Sequence, residues 1–263
     1  MPPTRSSINS HQEPGVKLLS ANHMLTRGQT KKEDHIVSTD QLISRVTRSK
    51  ADAKAAYNRL SRWYDLLSGS SEGRFLRLGL SKLNVKEGEQ VLEIGFGTGE
   101  GLLALASSVG PTGRVYGIDL SEGMLNLALA KVNQTGLKAR VVLKGGDALG
   151  LPYKPGSIDA VFMSFTLELF DTPEIPLVLE RCWRVLREGG RLCIVSMSMP
   201  PEPRLAVRIY EWTHKKFPAY VDCRPIFTQQ AIEAACFRVL EVTKGAMYGL
   251  PVEVVLAEKP AQR

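Results

Sequence analysis

The stretch VLEIGFGTGEGLLALA, residues 91–106, decides the fold. It opens with a short apolar run, passes through glycines at 95, 97 and 99, and closes on apolar residues at helical spacing. A short apolar run bounded by turn residues reads as a buried strand, and the spacing after it reads as an amphipathic helix. Glycines between the two let the backbone turn sharply and bring it close to a ligand. The question is which ligand.

Outward from this stretch, short apolar runs alternate with helical patterns. Strands are expected at 90–94, 114–118, 139–143, 158–163 and 191–197, with helices at 100–108, 121–133 and 173–186 between them. Gly189-Gly190 reads as the stop of the last helix ahead of a strand. The runs 237–243 and 252–258 follow each other without an intervening helix, which adds an antiparallel strand at the C-terminal end. Strands alternating with helices imply a mostly parallel sheet covered on both faces. The expected fold is therefore α/β, a Rossmann-like three-layer sandwich with a C-terminal antiparallel strand. Ahead of it, Tyr57, Leu60, Tyr64 and Leu67 fall on one helix face, and a second helical stretch covers 75–83 after a Gly-Ser-Ser break.

Composition excludes several classes. Of 263 residues, 43% are hydrophobic and 23% charged, the balance of a globular domain, and no apolar run reaches the length of a membrane span. Cys182, Cys193, Cys223 and Cys236 lack CxxC spacing, so buried thiols are expected and neither a disulfide framework nor a metal site. The net charge of +7 is not concentrated: residues 1–50 hold eight Lys/Arg against four Asp/Glu, more than half of the excess. Sequence-specific nucleic-acid binding needs a denser basic face. Those first fifty residues are polar, hold His11, His23 and His35, and are expected to form a disordered arm. They lack the apolar core of a secretory signal, so the expected location is cytoplasmic.

The glycine turn carries the chemistry. A dinucleotide fingerprint is G-x-G-x-x-G/A, yet here Glu100 occupies the last position and Glu93 lies inside the strand. Two carboxylates sit badly beside a pyrophosphate. The pattern E-x-G-x-G-x-G suits a ligand that is cationic on one side and brings a small carboxylate to the helix N-terminus. S-adenosylmethionine has both features and no phosphate. Asp119 ends the second strand, twenty residues after Gly99, where a carboxylate can accept hydrogen bonds from ribose hydroxyls. Asp147 follows the third strand and can accept from an exocyclic adenine amine, with Ala148 leaving room for the ring.

Residues 91–197 resemble a class I S-adenosylmethionine-dependent methyltransferase. More narrowly, GDALGLPYKPGSIDAVFMSFTLELF and RVLREGGRLCIVSM resemble the C-methyltransferases of ubiquinone and menaquinone biosynthesis. The resemblance implies cofactor contacts at Thr98, Asp119, Asp147, Ala148 and Ser164. It also matches Tyr64, in RWYDLL, to a tyrosine-aspartate pair leading into the cofactor site. One departure stands out. Where the quinone enzymes run to an Arg-Asn pair after the Ser-Phe, this chain reads Thr166-Leu167-Glu168-Leu169.

The expected function is methyl transfer to a small apolar or aromatic, quinol-like acceptor. O- or N-methylation of another small molecule or lipid, and a non-catalytic cofactor-binding accessory role, remain the alternatives. A general base would help deprotonate a phenolic acceptor. His214, Asp222 and Tyr210 are equal candidates, and the sequence singles out none of them. The segment 200–235 is rich in aromatics, among them Tyr210, Trp212, Phe217, Tyr220 and Phe227, and reads either as a lid over a pocket or as core packing. Arg204, Arg208, Lys215, Lys216 and Arg224 suggest a contact with an anionic membrane surface, but interspersed acids favour an ordinary solvated face.

Overall fold

The computed structural model describes residues 70–199 and 224–261, together with Ala51 and Ala55. The expected arm, the expected helix with Tyr57 and Tyr64, Cys223, and the candidates Tyr210, His214 and Asp222 lie outside the described residues.

Helix α1 (Ser70–Leu83) leads into β1 (Gln90–Ile94), α2 (Glu100–Ser108), β2 (Arg114–Asp119), α3 (Glu122–Gln134), β3 (Val141–Gly145) and β4 (Ile158–Ser164). Then come α4 (Glu174–Val185), β5 (Leu186–Met197), α5 (Thr228–Ala234), β6 (Arg238–Met247) and β7 (Leu250–Glu258). The strands form one sheet in the order β3-β2-β1-β4-β5-β7-β6. β1 to β5 pair in parallel, and β7 inserts antiparallel between β5 and β6. The order reverses between β1 and β4. That point, beyond the carboxyl ends of the strands, is where ligands bind in open α/β sheets.

Two apolar clusters cover the two faces. On one, Leu102 and Leu105 of α2, Ala128 of α3 and Phe75 of α1 pack on Val91, Val115, Phe162 and Val195. On the other, α4 packs through Ile175, Val178, Leu179, Cys182 and Val185, all buried, with Ile232 of α5 beside them. Their spacing of three or four places one stripe against the sheet. Each such side chain contributes about 1.5–3 kcal/mol relative to exposure.

The structure departs from the sequence reading in particular places. Helix α1 runs from Ser70, inside the expected Gly-Ser-Ser break. Gly189-Gly190 does not end α4, which stops at Val185; Leu186 already pairs with Ile158. The glycines instead lie in an irregularity of β5, where the register slips before Arg191 pairs with Ala160. Gly189 has φ +68 and donates its N–H to the Lys259 carbonyl at 2.8 Å. Cys182 and Cys193 are buried, and burial pushes both thiols up to about 12. Cys236, expected buried from its apolar neighbours, is exposed in the left-handed turn between α5 and β6, at φ +67.

Candidate functional site

The glycine turn joins β1 to α2, and its glycines do different jobs. Gly95 has φ +70, and a Cβ there would run into the side chain of Thr166 from the loop after β4. Gly99 has φ +92 and would press a Cβ on Ala128 Cβ at 3.1 Å, so it sets the closeness of α2 and α3. A Cβ at Gly97, at φ +52, would meet nothing within 4 Å among the described residues. Thr98 beside it is buried.

Asp119 stabilises this turn from β2. Its Oδ2 accepts the Gly97 N–H at 3.0 Å and its Oδ1 accepts the Ser121 N–H at 2.8 Å. Burial raises its pKa, and the two backbone donors act against that rise. A carboxylate has about four acceptor positions, so two N–H groups leave further capacity on Asp119. Its own carbonyl accepts the Gly146 N–H at 2.9 Å, tying the loop after β3 to the end of β2.

Asp147 caps the short 3-10 turn Ala148–Gly150, its Oδ1 accepting from Leu149 N–H at 3.0 Å, while Ala148 is buried. Helix α4 fixes this loop from behind. Arg184 donates to the carbonyls of Leu151 at 2.7 Å and Tyr153 at 2.8 Å, and Arg181 donates to that of Leu149 at 3.2 Å. Ser164 ends β4 in register with Val195.

Glu93 is buried in the strand, against Gly101 in the first turn of α2; a Cβ at Gly101 would run into its carboxylate. Burial, with Asp119 nearby, raises its pKa well above the ordinary range. Its Oε2 has no partner among the described residues.

Sequence reasoning missed a second carboxyl. Glu168, in the 3-10 turn Leu167–Leu169 after β4, is fully buried. Its Oε1 accepts the N–H of Met197, the last residue of β5, at 3.0 Å, and its Oε2 has no partner among the described residues. Burial pushes this carboxyl up to about 8, and Glu72 at the start of α1 adds to the rise. Arg224 and the Met197 N–H act the other way. Arg224 itself is completely buried, donating to the Phe170 carbonyl at 2.5 Å and Thr172 Oγ1 at 3.2 Å. It therefore belongs neither to a solvated face nor to a lipid-facing one. Its sequence signal was the apolar run Pro225-Ile226-Phe227 directly after it.

The structure thus brings Gly95, Gly97, Gly99, Asp119 and Asp147 to the carboxyl edge of β1 to β3, with Ser164 at that of β4. A separate cavity of about 700 Å³ lies between α4 and α5, lined by Ile175, Trp183, Ile226, Phe227 and Ala231 among others, and shares no residue with the glycine turn. Phe227, one of the aromatics expected to roof a pocket, is found there. Among the described residues no cluster of His, Cys, Asp or Glu is placed to hold a metal ion, and no helix is long and apolar enough to cross a membrane.

Comparison with known proteins points to methyltransferases. Residues 91–190 match the family model described as a methyltransferase domain. The demethylmenaquinone methyltransferase of Lactobacillus johnsonii is 34% identical over 173 residues, 64% of this chain and 70% of that protein. The enzyme of the same name from Lactococcus lactis is 32% identical over 151 residues, 56% of this chain and 59% of that protein. Against the Anoxybacillus flavithermus enzyme the chain spans only half of the relative's length, at 35% identity. Among solved structures, an S-adenosylmethionine-dependent methyltransferase from Aquifex aeolicus aligns with TM-score 0.56 and 27% identity, over 75% of this chain and 97% of that one. The cyclase SpnF aligns with TM-score 0.66 at 17% identity, over 82% of this chain and 98% of that one. The SpnF likeness concerns the fold alone, because one fold hosts different chemistries.

Proposed function

This chain belongs to the class I S-adenosylmethionine-dependent methyltransferases, and from that premise we propose that it methylates a small, apolar or aromatic acceptor of quinol type in the cytoplasm. The observation that carries the cofactor side is Gly97: among the described residues nothing lies where its side chain would be, while its N–H is held by Asp119. That is a backbone surface shaped for close approach, with a carboxylate beside it. The acceptor class rests on the relatives named demethylmenaquinone methyltransferase.

The cofactor supplies a methyl group already activated on a sulfonium, so the protein's task is alignment and exclusion of water. Asp119 holds the ribose hydroxyls with the acceptor capacity its two backbone donors leave. Asp147 and Ala148 receive the adenine, Asp147 accepting from the exocyclic amine. The turn at Gly95, Gly97, Thr98 and Gly99 presents the N-terminus of α2 to the amino-acid carboxylate. Glu93, buried under that turn with an oxygen that has no partner among the described residues, accepts a hydrogen bond from the ammonium. Ser164 borders the sulfonium end. The residues present fit this cofactor and no phosphate-bearing one, since Glu93 and Glu100 flank the turn.

The test is methyl transfer from radiolabelled S-adenosylmethionine to a prenylated naphthohydroquinone kept reduced. The expected result is a single apolar product carrying the label on carbon. Label appearing only on amines, catechol oxygens or phospholipid head groups overturns the quinol reading and leaves the family assignment intact.

A further inference from the structure

We propose that Glu168 takes the proton of the acceptor's hydroxyl during methyl transfer, its unpartnered Oε2 being the atom that receives it. The proposal rests on the methyl-transfer reading above and deepens it.

Thr166 packs where a Cβ of Gly95 would sit and donates from Oγ1 to the Ser164 carbonyl at 3.0 Å. The loop after β4 is therefore seated on the glycine turn. Glu168 lies two residues further on and spans the carboxyl ends of β4 and β5 through Met197. Glu72 on α1 is coupled electrostatically both to Glu168 and to Glu100 at the start of α2. Glu168 thus stands next to the cofactor crevice.

The surroundings equip it for proton transfer. The groups acting on it are its own backbone N–H, the Met197 N–H from β5, Arg224 from the segment before α5, and Glu72 from α1. Burying a carboxyl without full hydrogen bonding is unfavourable, and a group that only stapled β4 to β5 would need one oxygen. Oε1 makes that staple. Oε2 is left in a water-excluded site among the described residues, where a substrate hydroxyl is the donor it lacks. Arg224, held by Phe170 and Thr172, stands as the fixed counter-charge once Glu168 ionises. A base of pKa about 8 is stronger than an ordinary carboxylate, which matches it to a phenolic proton.

Ionised Glu168 takes the hydroxyl proton, and the electron pair released into the ring forms the new bond from ring carbon to methyl. The bond from methyl to sulfur breaks with its pair remaining on sulfur. The ring C–H proton then shifts to oxygen and restores the quinol, and Glu168 passes its proton to solvent. The net change is one methyl gained and one proton released.

The experiment uses the full chain as wild type, Glu168→Gln and Glu72→Gln. Glutamate is carboxyl-labelled with carbon-13 for titration by NMR, and turnover is followed against pH with prenylated naphthohydroquinone. In the wild type one carboxyl titrates near pH 8 and is absent from Glu168→Gln. The kcat rises through the same pH, and Glu168→Gln loses that limb together with about 10²–10⁴-fold in rate. Glu72→Gln folds around an intact Glu168 and moves the limb to lower pH, which a merely structural glutamate would not do. A Glu168 signal in the ordinary carboxylate range overturns the proposal, and so does a Glu168→Gln enzyme that keeps limb and rate. If no quinol is methylated although S-adenosylhomocysteine binds, the acceptor reading falls. Glu168 is then judged by its titration point, the ordinary range again sinking the idea.

Discussion

Replacing Glu168 by glutamine should change how the stability of this protein depends on pH. The wild-type carboxyl titrates near 8 in the folded protein, against 4.5 for an ordinary glutamate. Between those values the folded state holds a proton that the unfolded chain releases. Stability from this group is therefore fully present below about pH 4.5 and is lost as pH rises through about 8. At about 1.4 kcal/mol for each pH unit between the two values, the full span is worth about 5 kcal/mol, an upper figure because Arg224 and local relaxation ease the ionised form. Glutamine keeps an oxygen for the Met197 N–H and has no proton to lose. Urea unfolding at half-unit steps from about pH 5 to pH 9 measures both proteins, with equal m-values establishing equal unfolded states. The difference in stability should favour the wild type at the acid end and swing towards the glutamine variant by several kcal/mol at the alkaline end. Two parallel curves would refute the reasoning, because they would mean that Glu168 is ionised in the folded state across the whole range.

Four further substitutions separate the parts of the site. Gly95→Ala combines positive φ with a clash on Thr166, whereas Gly97→Ala meets open space, so the first should cost clearly more stability and the second only the left-handed backbone term of about 1–2 kcal/mol; Gly97→Ala should nonetheless abolish S-adenosylhomocysteine binding by calorimetry. Gly101→Ala forces the Glu93 carboxylate aside and should lower stability by about 1–3 kcal/mol in urea unfolding. Arg184→Ala frees the carbonyls of Leu151 and Tyr153 and should raise KM for the cofactor about tenfold while kcat changes little, because it loosens the Asp147 loop far from the transferring methyl.

The glycine turn shows what a sequence makes legible. Strand β1 and helix α2 fall on the expected residues because local signals agree there: an apolar run, then glycines, then a 3.6-residue period. Asp119 was legible for the same reason, being the first acid at the end of the next strand. The alternating pattern also placed the antiparallel β7, since two strand-like runs without a helix between them can only return. Glu168 and Arg224 were not legible as a pair. They lie 56 positions apart in a 263-residue chain, and each reads locally as a surface charge. Only the meeting of the loop after β4 with the segment before α5 buries both. Gly189-Gly190 misled because a glycine pair after a helix usually marks its end, whereas here the register slip of β5 needed it. Cys236 misled because apolar neighbours in sequence, Ala234, Ala235 and Phe237, do not share its left-handed turn.

The most direct test of the account is a calorimetric titration of the full chain with S-adenosylhomocysteine, with NAD and Asp119→Ala alongside. Binding of the adenosyl-sulfur compound, absent with NAD and lost in an Asp119→Ala protein that unfolds at a measurable midpoint, is the predicted result. Binding of NAD in its place would contradict the reading of Glu93, Gly97 and Glu100, and with it the assignment of this crevice to methyl transfer.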